Sequence, residues 1–243
     1  MTRSGSTLPY AVLAAIALAI AAGLYASGLG VEILGYKKDI LYLLRQHLML
    51  VGVSGSLAIV SGVAVGIGLS RPSMGRWAEG VIQAVNMVTS IPTLGKLALM
   101  MTFLGIGALP AIVGLWIATL LPIIRNTYEG IRGVPAHMID AARGMGMDAY
   151  AILRRVELPN ALFVIFAGIR TAMAVNVGTA PIAFLIGGGG LGELIFTGID
   201  LQQHGMMLAG AIPTALLAIA VDFLFGQAQY WLVPRGVNPL RNS

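Results

Sequence analysis

The sequence predicts an all-α fold, a polytopic membrane protein of about six spans with both ends in the cytoplasm. Three observations predict it: a shortage of charge, apolar tracts of bilayer length, and basic residues gathered on one side. Of 243 residues, 57% are apolar and 10% are charged, whereas a soluble domain carries roughly a quarter charged residues to solvate its surface. The mean hydropathy of +0.86 excludes a disordered chain. Cysteine is absent, which removes disulfides, thiolate metal sites and cysteine nucleophiles together. The 32 glycines fit helices packed closely in lipid.

Hydrocarbon about 30 Å thick takes roughly 20 apolar residues of helix. Residues 8–29 supply the first tract, free of charge. It reads as an uncleaved helix; the rival is a secretory signal peptide, but the tract is long for one and no small-x-small cleavage site follows. The second tract, residues 48–69, stops at Arg71-Pro72. The third, residues 77–109, is interrupted at Ile91-Pro92-Thr93 and reads as one broken helix. The fourth covers residues 110–124, extended a little at either end. A polar stretch, residues 125–157, comes next; residues 162–186 then make a fifth span, a glycine cluster at 187–190 a turn or re-entrant hairpin, and residues 206–225 the last span.

Basic residues beside spans favour the cytoplasm. With the N-terminus inside, ten of the 15 fall inside, among them Arg71, Arg76, Arg125, Arg132, Arg143, Arg154 and Arg155. Lys37, Lys38 and Arg45 fall outside, and Lys96 and Arg170 lie within spans. The net charge of +5 therefore reflects topology and points to no nucleic-acid partner.

Motifs for chemistry are nearly absent. No G-x-x-x-x-G-K-[ST] cradles ATP phosphates. Gly187-Gly188-Gly189-Gly190-Leu191-Gly192 fits G-x-G-x-x-G, but that pattern means dinucleotide binding only between a strand and a helix, and here it lies between spans. His47, His137 and His204 have no metal-ligand spacing and read as interfacial or loop residues. The chain is expected to be no enzyme and to bind no metal.

The informative segment is the inside loop at residues 125–159. Around Ile139 to Met145 it reads as a short amphipathic helix whose Ala141, Ala142 and Met145 offer a small face to another protein. Gly146 would end that helix by taking a left-handed conformation, Pro159 suits the first turn of the next helix, and Asp140 complements the short helix's dipole.

The pattern Asp140-Ala141-Ala142-x3-Gly146-x9-Val156-x-Leu158-Pro159 resembles the E-A-A-x3-G-x9-I-x-L-P loop of the membrane subunits of ABC importers, with Asp140 in place of Glu and Val156 in place of Ile. Thr89-Ser90-Ile91-Pro92-Thr93, Leu121-Pro122-Ile123-Ile124-Arg125-Asn126, Ala167-Gly168-Ile169-Arg170-Thr171-Ala172 and Gly189-Gly190-Leu191-Gly192 are similar to permeases of the osmoprotectant importers, which carry glycine betaine, choline, carnitine or proline betaine. The resemblance covers roughly residues 48–225. It implies the type I importer permease fold, a five-helix core plus an N-terminal helix, in the bacterial inner membrane. It implies a coupling loop formed by Asp140, Ala141, Ala142, Gly144, Gly146, Val156, Leu158 and Pro159, docked on an ATPase subunit. It also implies two ATPases carrying ATP and Mg, a second permease copy or sister permease, and an extracytoplasmic binding protein. The chain then divides into an N-terminal helix and outer segment (1–46), a permease core (47–228) and a cytoplasmic tail (229–243).

Broken helices line cavities in transporters, so Ile91, Pro92 and Thr93 are candidates for the substrate path. Lys96 is another; it faces either the path or the outer surface by snorkelling. Arg170, about 16 Å along its helix from Pro159, faces the path or sits near the inner interface. Asp222 is expected to reach the headgroups. Gly62-x-x-x-Gly66 is expected to bring two helices of the chain together. The alternative function is an ion-coupled secondary transporter, which needs carboxylates or a broken-helix cation site deep in the membrane.

Overall fold

The computed structural model describes residues 22–23 and 25–241, and within these every regular element is a helix. The predicted span at residues 8–29 lies mostly outside the described residues. Near its end a left-handed Gly28 (φ 73°) precedes a short helix, α1 (Leu29–Gly35). Then follow α2 (Lys37–Ser70), α3 (Gly75–Ser90), α4 (Thr93–Leu104) and α5 (Ala108–Arg132). The loop region holds α6 (Ala136–Gly144) and α7 (Ala149–Ile152). After it come α8 (Leu158–Thr179), α9 (Gly192–Asp200) and α10 (His204–Leu232). Among the described residues, α2, α5, the run Ala149–Ile186 and α10 are long and apolar enough to cross a bilayer, and α3 with α4 form a fifth, bent unit.

The expected elements are present but longer. α2 starts at Lys37 rather than at residue 48, and α5 continues to Arg132 rather than ending at 124. Both extensions are polar, and a hydropathy window sees only the lipid-depth part of a helix that projects beyond it. The core lies where α2, α5 and α8 meet, around Leu50, Ala58, Leu115, Ile123, Ala172 and Val177. Gly62 and Gly66 make that packing close. A methyl group on Gly66 would lie 2.5 Å from Thr127 Cβ, and one on Gly62 would lie 2.8 Å from Ile123 Cγ2. The Gly-x-x-x-Gly pair therefore joins α2 to α5 within the chain, as expected. One polar pair crosses the core: Asn176 Nδ2 on α8 donates to Ser54 Oγ on α2 at 2.9 Å, both side chains fully buried. His47 is also fully buried in α2, not interfacial as its sequence position suggests.

The third apolar tract breaks at Ile91-Pro92, where α3 and α4 meet at 92°. Pro92 has no N–H and holds Ile91 in an extended conformation (ψ 132°), so the last carbonyls of α3 lose their helical partners. Lys96 replaces one of those partners. Its side chain is buried, and Nζ donates to the Thr89 carbonyl at 3.0 Å. The residue thus neither snorkels nor lies open to a path; it spans the bend and holds α3 to α4. Replacing Lys96 with Met leaves the Thr89 carbonyl unpaired and is expected to cost about 1–3 kcal/mol. The check is thermal unfolding in detergent, where an unchanged midpoint would show that the ammonium contributes nothing to the bend.

Candidate functional site

The loop following α5 is built by local rules. Gly133 ends α5, and Pro135, in an extended conformation, starts α6. At the far end of α6, the Gly146 N–H donates to the Arg143 carbonyl (2.9 Å) and the Met147 N–H to the Ala142 carbonyl (3.1 Å). This is a Schellman turn, and Gly146 supplies its left-handed residue at φ 80°. A Cβ on Gly146 would meet no atom within 4 Å, so it is the backbone conformation, and not space, that selects glycine there. Asp148 then caps α7, its Oδ1 accepting the Ala151 N–H at 2.7 Å.

Two details differ from the sequence reading. Pro159 lies in the first turn of α8, as expected, but no loop precedes it, because the helical run already begins at Ala149. The proline cannot donate to the carbonyl one turn earlier, and a π turn at Leu153–Glu157 occupies the residues just before it, including Val156. Asp140 lies in the second turn of α6, not at its start, and it pairs with Arg143 at 3.5 Å on the exposed surface.

The face that α6 presents is also specific. Ala142 is 1% exposed and turns toward the protein's own bundle, so it leaves the outward face expected of it. Asp140, Ala141, Gly144, Met145 and Gly146 remain exposed. Val156, Leu158 and Pro159 are half-buried in the helix behind them. Arg71, just after α2, reaches the same place: its Nη2 donates to Glu157 Oε2 at 2.6 Å, and its Nε donates to the Ile67 carbonyl and to Ser70 Oγ. Side-chain exposures of 26% and 12% make this a partly buried pair, unlike the solvated Arg125–Glu129 pair. Nothing local announces the Arg71–Glu157 contact, since its partners are 86 positions apart.

The candidate path residues fall in two places. Ile91 and Pro92 are exposed at the bend, and Thr93 is half-buried beside them. Arg170 lies elsewhere, joining α8 to α10. Its Nε donates to Asp222 Oδ1 at 3.1 Å and its Nη2 to Asp222 Oδ2 at 2.8 Å. Asp222 is thus held by a two-pronged ion pair, and does not extend to the headgroups as its sequence position suggests. Gln229 completes the group, accepting from Arg170 Nη1 at 3.3 Å and donating Nε2–H to the Phe163 carbonyl.

At the opposite end of α2, the glycine cluster closes the bundle. Gly187, Gly189 and Gly190 all have positive φ, and the Gly190 N–H donates to Gln46 Oε1 at 3.0 Å. The cluster follows a 3₁₀ segment, Ala180–Ile186, and no strand occurs among the described residues, so the context for a dinucleotide cradle is missing.

Comparison with known proteins agrees with this architecture. Residues 58–236 match the family described as "Binding-protein-dependent transport system inner membrane component". The chain is 49% identical to the osmoprotectant import permease protein OsmY of Salmonella typhimurium, over 86% of this chain and 89% of that protein. It is 38% identical to the glycine betaine/carnitine/choline transport system permease protein OpuCB of Bacillus subtilis, over 84% and 93% of the two chains. The fold is shared with a solved inward-facing structure of the MetNI methionine ABC transporter, with a TM-score of 0.73 at 24% identity, covering 84% of this chain and 98% of that one. Apolar helices of bilayer length and the family match over residues 58–236 together make this chain an inner membrane component of a binding-protein-dependent transport system.

Proposed function

We propose that the chain forms the translocation path of an ATP-driven importer of compatible solutes, quaternary amines such as glycine betaine, carnitine or choline, and that ATP with Mg is hydrolysed on separate ATPase subunits. The observation that carries the reading is the 49% identity to an osmoprotectant permease along nearly the whole of both chains. The arrangement takes two ATPases, a second permease copy or a sister permease, an extracytoplasmic binding protein and surrounding lipid, with residues 47–228 as the permease core.

In this reading, α6 is the helix that docks on the ATPase, through Asp140, Ala141, Gly144 and Met145. Ala142 acts from behind, packing α6 on its own bundle. Gly146 fixes where α6 ends, and Val156, Leu158 and Pro159 root the loop in α8. Arg71 and Glu157 carry displacement of the loop into α2. Ile91, Pro92 and Thr93 border the path, Lys96 braces the bend beside it, and Arg170 lines the path from α8. An ion-coupled secondary transporter has less support, because Asp222, the carboxylate within the last span, is already engaged by Arg170.

Reconstitution of the chain with its ATPases and binding protein in vesicles tests the function: labelled betaine, carnitine or choline is expected to accumulate only with ATP. Uptake by the chain alone, driven by an ion gradient, would overturn it. Within that assay, Gly146→Asp places a Cβ and a negative charge in a left-handed turn, at a cost of order 1 kcal/mol. It is expected to leave the protein in the membrane while ATP hydrolysis no longer drives uptake; normal uptake would remove the docking role from this loop. The Arg71–Glu157 bond is worth about 1.5–3 kcal/mol, or roughly ten- to a hundredfold in population. Arg71→Glu is therefore expected to uncouple transport, and the exchanged pair Arg71→Glu with Glu157→Arg to restore it. Equal activity in the single and double variants would show that the pair transmits nothing.

A further inference from the structure

The Arg170–Asp222 pair is poorly explained as a simple tether between helices. A buried pair serving only packing would be covered, because charge at membrane depth is tolerated where it meets protein or water and not hydrocarbon. Here the two side chains are 33% and 45% exposed. They border an open groove of about 450 Å³ whose other lining residues, Ala167, Thr171, Ala174 and Val175, are small; that volume is in the range of small-molecule sites. The pair also lies at depth. Asp222 is about 13 Å of helix above Trp231, which with Tyr230 and the cation of Arg241 forms an aromatic cluster of the kind that marks a membrane interface.

The geometry leaves capacity for a ligand. Arginine has five N–H donors, and the described hydrogen bonds of Arg170 engage one on each nitrogen, Nε, Nη1 and Nη2. Two N–H groups remain. Gly226 on α10 lies beside the guanidinium, where a Cβ would make ordinary contact at 3.4 Å from Arg170 Cζ. Gln229, 2% exposed, holds the guanidinium from the buried side. The site thus offers a fixed planar donor and, beside it, a half-exposed carboxylate.

We infer that Arg170 and Asp222 form a transit site for a zwitterion, in which the free N–H groups of Arg170 take the carboxylate and Asp222 takes the quaternary ammonium. The inference rests on the proposed importer function and deepens it. A solute carrying both charges satisfies both residues at once and leaves neither protein charge less compensated than before. A bare cation such as choline engages Asp222 alone. The pair therefore acts as a selectivity element within the membrane, favouring betaines and carnitine over choline independently of the binding protein.

The test compares uptake of glycine betaine and of choline in vesicles holding the complete complex, with the same binding protein throughout. Arg170→Gln is expected to lower the betaine-to-choline uptake ratio by about tenfold or more, and Arg170→Lys to recover part of it. A ratio unchanged in Arg170→Gln, with both solutes falling together, would mean a tether only and would overturn the inference. The chain has no cysteine, so Thr171→Cys gives a second arm that does not disturb the pair. In the complete complex that cysteine is expected to react with a water-soluble cationic thiol reagent, more slowly when glycine betaine is present. Failure to react would place lipid or another subunit over the groove and overturn the inference even if Arg170→Gln did not reach the membrane. Should the wild-type complex move neither solute, the importer reading falls and carries this inference with it; a wild type that moves both solutes leaves the ratio to decide the inference by itself.

Discussion

A bilayer interior offers no water to a peptide group, so every interruption of a helix in this chain must bring its own hydrogen-bond partner. That constraint organises the molecule. Where Pro92 ends α3, the ammonium of Lys96 takes up the Thr89 carbonyl. Where the glycine turn crosses the end of the bundle, Gln46 accepts the Gly190 N–H. Where an arginine enters α8, an aspartate and a glutamine from α10 receive it. Lys96, Gln46 and Arg170 with Asp222 each stand beside a backbone or charge defect that they satisfy.

The loop between α5 and α8 follows a complementary rule. Its ends are fixed while its outward face is bare. The Schellman turn at Gly146, the Asp148 cap and the Arg71–Glu157 bond hold it to the bundle, whereas the Asp140–Arg143 pair on its surface is solvated, and pairs of that kind contribute little. The long helix α2 connects this end to the other: it follows the loop through Arg71, packs on α5 through Gly62 and Gly66, and meets the glycine turn through Gln46. The loop is thus fastened to a helix of about 50 Å at 1.5 Å per residue, long enough to run the whole bundle.

Much of this was legible from local sequence. Hydropathy located the spans among the described residues because lipid imposes one composition on all of them. The helix break needed only Pro92, and the loop turn only Gly146, since proline and glycine act through their own backbones. Gly62 and Gly66 announced a close helix contact by spacing alone. Ala141 and Met145 are exposed as expected, but several other judgements about where a side chain points failed. Ala142 was read as outward and is buried; Lys96 was read as path-facing or snorkelling and instead braces its own bend; Asp222 was assigned to the headgroups and pairs with Arg170; His47 was read as interfacial and is covered. These depend on rotation about a helix axis and on which neighbour occupies the facing side, and a tract apolar all round carries no periodicity to fix either.

The sequence by itself therefore determined that the chain is a helical membrane protein, where its helices break and turn, and that its loop pattern resembles that of ABC importers. Composition, proline, glycine and short-range spacing are local quantities and need no partner to act. Only the tertiary structure decided that Arg71 meets Glu157 across 86 positions and Arg170 meets Asp222 across 52. Those contacts depend on the packing of helices distant in the chain, which no single segment encodes.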